Sequence, residues 1–353
     1  MKTSMIISVA AASALVLGAC SSGSDAPASS AAAASPGADA GPTAGGSVTV
    51  LVYDSFALPE DVIADFTATT GIDVTFEPVG DAGVLTNQIA LTAGVPLGDA
   101  VYGIDNTFAS RAITSGALAD YVSPAAVESV DGKLTAIDFS DVCFNIDLAA
   151  FGADNPPPAT LDDLLDPAYA GKVSVSNPTT SSPGLALLLA TYATYGDGWA
   201  DYWRQLRDND LKVTAGWSDT YFVDFSAPNY GGDFPIVLSY ASSPPSEVID
   251  GEPTTAALLD TCFRQTEYAG VLEGAENPEA AKAVVDWLLS DTVQSALPGS
   301  MYVYPISPTA TIPAEWEQFA PLSDNPVVMD PADIDAHRDR LLREWTEIVI
   351  EGR

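Results

Sequence analysis

Residues 47–79, SVTVLVYDSFALPEDVIADFTATTGIDVTFEPV, decide the fold. Ser47 to Val52 is a β-branched run that reads as a strand. Pro59-Glu60-Asp61 then supplies a proline and two acids. Both suit a first helical turn, whose N–H groups lack partners and whose dipole favours negative charge. Val62, Ile63 and Phe66 give that helix an apolar stripe, and Asp73 to Val79 is the next strand. The alternation continues with a helix over Gly83–Ala93, a strand over Ala100–Ile104, and a helix over Asn106–Thr114 that stops near Gly116. Strands alternating with helices predict an α/β fold with a mostly parallel sheet covered by helices.

A second series follows an extended run from Thr135 to Ile146. It comprises a helix at Leu161–Leu165, a strand at Lys172–Val175, a long helical stretch from Pro183 to Leu206, and strands at Leu211–Thr214 and Pro235–Tyr240. A further extended run, Ala256–Leu272, precedes a helix opened by Pro278, with Ala281, Val284, Val285 and Leu288 on one face. Pro331–Ile350 is amphipathic. The two long extended segments separate a middle α/β block from α/β material on both sides. This predicts two lobes, residues 47–140 with 266–353 and residues 141–265, joined by two crossover strands acting as a hinge.

The N-terminus explains where such a chain works. Residues 1–19 read as a signal peptide: a lysine at position 2, an apolar stretch from Met5 to Leu17, and the small pair Gly18-Ala19 before a cysteine. The stretch is too short to span a bilayer. Leu-Gly-Ala-Cys20 resembles the lipobox of bacterial lipoproteins, which implies lipidation of Cys20 and attachment to the outer face of the cell membrane. An ordinary secretory signal that happens to contain a cysteine is the alternative. Residues 20–46 are almost wholly Ser, Ala, Gly, Pro and Asp, too poor in apolar groups to repay the entropy of folding, and read as a disordered tether.

The composition excludes several function classes. With 13 Lys and Arg against 48 Asp and Glu, the chain carries a formal charge of −35, so nucleic acid is excluded as a partner. A cationic small molecule is favoured electrostatically, although a generally acidic exported surface accounts equally for the charge. Cys143 and Cys262 are far apart, have no CxxC spacing and share the chain with a single histidine, so no zinc site is read. In an oxidising compartment they predict a disulfide between the crossover segments, with a reduced, buried pair as the alternative. His337 sits on the polar side of the last helix, and neither a catalytic triad nor a phosphate loop with its lysine is present. The chain is read as a binder and not an enzyme, with no cofactor.

In open α/β sheets, ligands bind beyond the carboxyl ends of the strands. The residues there are Tyr53-Asp54-Ser55, Asp81, Asp105-Asn106, Asn177 with Ser181-Ser182, Gly216-Trp217-Ser218 and Tyr240-Ala241-Ser242-Ser243, joined by Tyr302 and Tyr304 from a later segment. Rings, hydroxyls and carboxylates without a histidine or lysine suit a flat, partly cationic molecule. For Tyr240, at the end of an apolar strand, core packing is the competing role.

The runs Val52-Tyr53-Asp54-Ser55-Phe56, Gly103-Ile104-Asp105-Asn106, Asn177-Pro178-Thr179-Thr180-Ser181-Ser182-Pro183-Gly184-Leu185, Gly216-Trp217-Ser218 and Val237-Leu238-Ser239-Tyr240-Ala241-Ser242-Ser243-Pro244 occur in one order and register. Together they resemble the thiamine-binding component of thiamine ABC transporters. The resemblance implies a type II periplasmic-binding-protein fold, a ligand between the lobes, a monomer, and delivery to a membrane permease with a cytoplasmic ATPase. It implies Tyr53, Trp217 and Tyr240 around the thiamine rings, polar contacts from Asp81, Ala82, Ser181, Ser182 and Ser243, and Tyr302 in place of a tryptophan. Two positions depart from the pattern: Ser246 replaces a ring-stacking tyrosine, and Glu60 falls where a tryptophan is common. Thiamine monophosphate and diphosphate are further expected ligands, with their phosphate at a helix start capped by Ser182 and led by Pro183. Ferric ion or a polyamine on the same fold, and a lipoprotein hydrolase, are the alternatives.

Overall fold

The structure, a computed structural model, describes residues 46–227 and 229–353. The signal peptide, Cys20 and all of the tether before residue 46 lie outside the described residues. In chain order the principal strands are β1 (Ser47–Val52), β2 (Asp73–Pro78), β3 (Ala100–Asp105), β4 (Leu134–Asp147), β5 (Val173–Ser176), β6 (Lys212–Thr214), β7 (Ile236–Tyr240) and β8 (Thr255–Val271). The helices are α1 (Glu60–Thr70), α2 (Ala82–Leu91), α3 (Ala109–Thr114), α4 (Ser182–Tyr195), α5 (Trp199–Asp208), α6 (Pro278–Trp287), α7 (Asp291–Met301), α8 (Ala314–Phe319) and α9 (Pro331–Trp345).

Successive side chains of β1 face opposite sides of the sheet, and both sides are covered. Val48, Val50 and Val52 pack with Phe66 of α1 and with Val284, Val285 and Leu288 of α6 and the turn after it. Leu51 points the other way, into a cluster with Leu85 and Ile89 of α2. Of the stripe predicted for α1, only Phe66 is fully buried; Val62 and Ile63 are half-exposed.

The strand order is β2-β1-β3-β8-β4-β7-β5-β6. β1 pairs in parallel with β2 and β3, and β5 pairs in parallel with β6 and β7. Between these parallel groups, β4 and β8 run antiparallel to each other and to both groups, so the sheet is mixed and not mostly parallel. The predicted crossovers are thus the centre of one continuous sheet. Their register runs from Thr255 opposite Asp147 to Ala269 opposite Thr135, with shifts between Leu258 and Phe263 and between Glu267 and Tyr268.

Cys143 of β4 and Cys262 of β8 meet inside the first shift and are joined by a disulfide, their Cα atoms 4.3 Å apart and 119 residues apart in sequence. Both are buried.

Two helical features differ from the sequence reading. The stretch from Pro183 to Leu206 is two helices, because Gly196 adopts φ +54° after Tyr195 and ends α4. α4 also begins one residue early, with Ser181 at the cap position and Ser182 as its first residue. α9 reaches beyond the group that α6 covers. Its Trp345 meets Trp203 of α5 edge to face at 5.6 Å, Arg207 of α5 donates to the carbonyl of Ile348 at 2.8 Å, and Arg338 donates to Ser110 of α3 at 2.9 Å.

Closing a loop this long restrains the unfolded chain, so the disulfide is expected to contribute about 2–5 kcal/mol. Chemical denaturation with and without reductant checks this. The reduced protein and a Cys143→Ala/Cys262→Ala variant should show the same lowered midpoint, and identical midpoints with and without reductant contradict it.

Candidate functional site

Beyond the ends of β1, β6 and β7 lies a cavity of about 240 Å³. From one side it is lined by Tyr53 to Ala57 after β1, Asp81 and Ala82 at the start of α2, and Ser300 to Val303 at the end of α7. From the other side come Ser182 of α4, Trp217 and Phe222 from the segment after β6, and Tyr240 of β7, with Glu267 of the central strand β8 between them. The β1–α2 and α4–β7 contributors belong to the two parallel groups, so the cavity sits where those groups approach each other.

Asp81 fastens the two sides together. Its Oδ1 accepts from the N–H of Ala82 at 2.6 Å and of Ser182 at 3.4 Å, and its Oδ2 accepts from the N–H of Trp217 at 2.9 Å. Nearby, the N–H of Gly83 donates to the carbonyl of Thr180 at 3.0 Å. A Cβ at position 83 would stand 2.7 Å from that oxygen, so the contact requires glycine. Burial pushes the Asp81 carboxyl up to about 6, against the pull of the Trp217 and Ala82 N–H groups.

Trp217 is the centre of the aromatic wall. It stacks on buried Tyr221 at 5.1 Å and 12°, meets Phe222 edge-on at 5.1 Å, and lies 5.8 Å from Tyr240 and 6.4 Å from Tyr302. Its indole N–H donates to Ser239 at 2.9 Å, which fixes the ring plane. Tyr302 holds a left-handed backbone, φ 57°, as the residue that ends α7, and its carbonyl accepts from the Ser242 hydroxyl at 2.5 Å. Such a conformation costs on the order of 1 kcal/mol or more outside glycine. The Tyr53 ring fits because residue 103 is a glycine at φ +102°; a Cβ there would stand 2.0 Å from the ring.

Of the nine ligand-binding residues read from the sequence, Tyr53, Asp81, Ala82, Ser182, Trp217, Tyr240 and Tyr302 line the cavity. Ser181 and Ser243 do not. Both are fully buried: Ser181 donates to Ser176 at 2.9 Å, and Ser243 bonds the hydroxyl of Ser239 at 2.9 Å, behind Trp217. Tyr304 points elsewhere, stacked on Phe139 at 5.6 Å. Glu60 is exposed on α1, outside the lining, and Ser246 donates to the carbonyl of Ser243 at 2.7 Å. His337 bonds the carbonyl of Asp333 and packs its ring on Tyr192 at 5.1 Å, remote from the cavity.

The helix start reserved for a phosphate is already engaged by acids. Its first N–H, of Ser182, faces Asp81, the next residue is a proline without an N–H, and the Ser182 hydroxyl donates to the Asp105 carboxylate. Asp105 is fully buried and also accepts from Thr107 and Phe108, and burial raises its pKa.

Sequence reasoning missed Phe222, Met301 and Glu267. Phe222 stands five residues beyond Trp217 on a π-helical turn, Asp219–Asp224, that no local pattern announces. Met301 accepts the N–H of Ala57 through its sulfur at 3.1 Å and so holds the loop after β1. Glu267 lies inside β8, four residues before its end, where the rule of strand ends does not look.

A two-sided cavity across a mixed sheet with paired central strands defines a binding protein of the α/β periplasmic-binding-protein fold. Residues 102–322 match the family of bacterial extracellular solute-binding proteins, and the chain belongs to that family. It is a binding protein and not an enzyme. A thiamine-binding periplasmic protein of Escherichia coli K12 is 28% identical over 313 residues, covering 86% of this chain and 93% of the relative. One from Haemophilus influenzae is 28% identical over 281 residues, 74% of this chain and 80% of the relative. A solved periplasmic thiamin binding protein superposes with a TM-score of 0.78 at 26% identity, covering 86% of this chain and 96% of that one. A ferric binding protein from Campylobacter jejuni shares the architecture at a TM-score of 0.68 and 16% identity, over 85% of this chain and 99% of that one.

The raised carboxyl of Asp81 has a consequence for stability. Because the folded state holds this proton more tightly than the unfolded chain, the group's contribution is present below the ordinary carboxylate range and is lost as pH rises through about 6. Asp81→Asn cannot titrate, so its stability relative to wild type is expected to improve between pH 4 and pH 7 by up to about 3 kcal/mol in the absence of ligand. Denaturant midpoints of both proteins at the two pH values check this, and a difference that does not change with pH contradicts it.

Proposed function

We propose that this extracytoplasmic protein captures thiamine in the cavity and delivers it to an ABC permease driven by a cytoplasmic ATPase. The observation that carries this reading is the composition of the wall. Six aromatic rings surround a space that also receives the carboxylates of Asp54, Asp81 and Glu267, and among the described residues no lysine or arginine lines it. Rings stack on the flat pyrimidine and thiazolium, and carboxylates and ring faces attract the cation. The thiamine-binding relatives support the same ligand.

Tyr53, Trp217, Tyr240 and Tyr302 hold the rings in this reading, with Phe222 as a further wall. Asp81 and Ala82 make the polar contacts, while Ser181 and Ser243 act by fixing their neighbours. The lobes are residues 47–140 with 266–353 and residues 141–265, with α9 spanning both, and they close on the ligand as a monomer. The filled helix start and the anionic lining favour free thiamine over its mono- and diphosphates.

Calorimetry tests the ligand. Thiamine should bind one to one and more tightly than either phosphate ester, and Trp217→Ala should weaken it about 2- to 10-fold, as expected for loss of one stacking partner. Heat from ferric citrate or spermidine but not from thiamine would overturn the assignment.

The same reading places a lipid on Cys20, which tethers the protein through residues 20–46. Cys20→Ser should abolish labelling by radioactive palmitate and move the protein from the membrane to the soluble fraction. Unchanged labelling would refute the anchor.

A further inference from the structure

Glu267 combines burial, an open bonding position and a place in the cavity wall. It lines the cavity, yet only 5% of its surface is exposed. Its Oε1 accepts from the amide of Gln265 at 2.9 Å, whereas Oε2 is buried with no hydrogen-bond partner. Directly opposite in the β4–β8 register stands Asp138, fully buried, whose Oδ2 accepts from the Tyr102 hydroxyl at 2.5 Å and whose Oδ1 has no partner. On the other side of Glu267, in the β3–β8 register, is Asp105, whose carboxylate is saturated by Thr107, Phe108 and Ser182. Three carboxylates therefore stand side by side on three adjacent strands, and two of them keep a bare oxygen.

A buried carboxylate oxygen without a partner is costly, and neighbouring carboxylates resist ionising together. The titratable groups that face Glu267 bring no positive charge. They are Asp138 on β4, Asp105 and Tyr102 on β3, Tyr53 after β1, Tyr240 on β7 and Asp81 at the start of α2. Burial and then Asp138 drive the Glu267 carboxyl well above its ordinary range, and burial pushes Asp138 up to about 7. Each acid of the pair thus resists ionising while the other is charged, which favours a shared proton.

We propose that Glu267 is the counter-ion of the bound organic cation, and that the Glu267–Asp138 pair exchanges its proton for that cation. The step breaks one carboxylic O–H bond; the proton passes to solvent, and the cation's charge takes its place beside the new carboxylate. Charge inside the site is conserved, so a cation enters a buried position without leaving bare negative charge in the empty protein. The inference rests on the thiamine reading and adds to it how the charge is recognised: a neutral or anionic molecule of the same shape cannot drive the exchange.

Calorimetry of thiamine binding at pH 7.5, in phosphate and in Tris, tests the exchange, because the difference in observed heat between buffers counts protons released. At that pH Asp81, at about 6, is already ionised and adds little to the count. Wild type should release a substantial fraction of a proton per thiamine, and its affinity should fall by up to about ten-fold per pH unit on acidification. Glu267→Gln should bind at least several-fold more weakly and release almost none. Asp138→Asn, which keeps the counter-ion, should bind thiamine but release fewer protons than wild type; it serves as a second test if Glu267→Gln fails to fold. Tight thiamine binding with buffer-independent heat in wild type would overturn the exchange while leaving the thiamine reading intact. No thiamine binding at any pH would overturn both.

Discussion

The antiparallel ladder between β4 and β8 is the constraint on which the rest depends. These strands are long enough to pair with each other and still carry a parallel group on each outer edge, so both halves of the sheet are ordered relative to one axis. The disulfide fixes that axis at one register shift, and Glu267 enters the cavity wall beside the other. A change in the pairing of β4 with β8 would flip alternate side chains between the faces of the sheet and would move Glu267 away from Asp138.

Around that axis the cavity is held by few contacts, most of them to backbone. One carboxylate, Asp81, receives N–H groups from three separate segments, and the Gly83 N–H meets the Thr180 carbonyl beside it. Backbone donors leave the aromatic rings free for a ligand, while Ser239 and Ser243 set the plane of Trp217 from behind. The result is a space lined by π faces and acids, which suits a flat cation. The overall negative charge of the chain acts in the same sense at long range, where salt screens it over about 8–10 Å; the buried acids are screened far less.

The strand–helix alternation, the strand ends and most of the cavity wall were legible in the chain because they depend on local order. Tyr240 ends β7, and Tyr53, Asp81 and Trp217 lie within three residues of the ends of β1, β2 and β6, where the carboxyl ends of the strands open toward a ligand. Helix boundaries were less legible at Gly196, where an apolar pattern continued across a residue whose left-handed backbone ends the helix. The serines divided for a similar reason. Ser181 and Ser182 are adjacent and chemically alike, and only the direction each takes at the start of α4 sends one to Ser176 and the other to the wall.

By itself, then, the sequence determined the alternating architecture, the supply of rings and acids, and the family resemblance, since each is written in composition, spacing or local periodicity. Tertiary structure decided what depends on residues far apart in the chain. It placed α9 across both halves, brought Phe222 and Met301 to the cavity, and put acids at the helix start where a phosphate was expected. It also aligned Asp105, Glu267 and Asp138 on neighbouring strands. No local pattern encodes that alignment, because it is a matter of register between strands separated by as much as half the chain, and the energetic cost of their bare oxygens exists only once water has been removed around them.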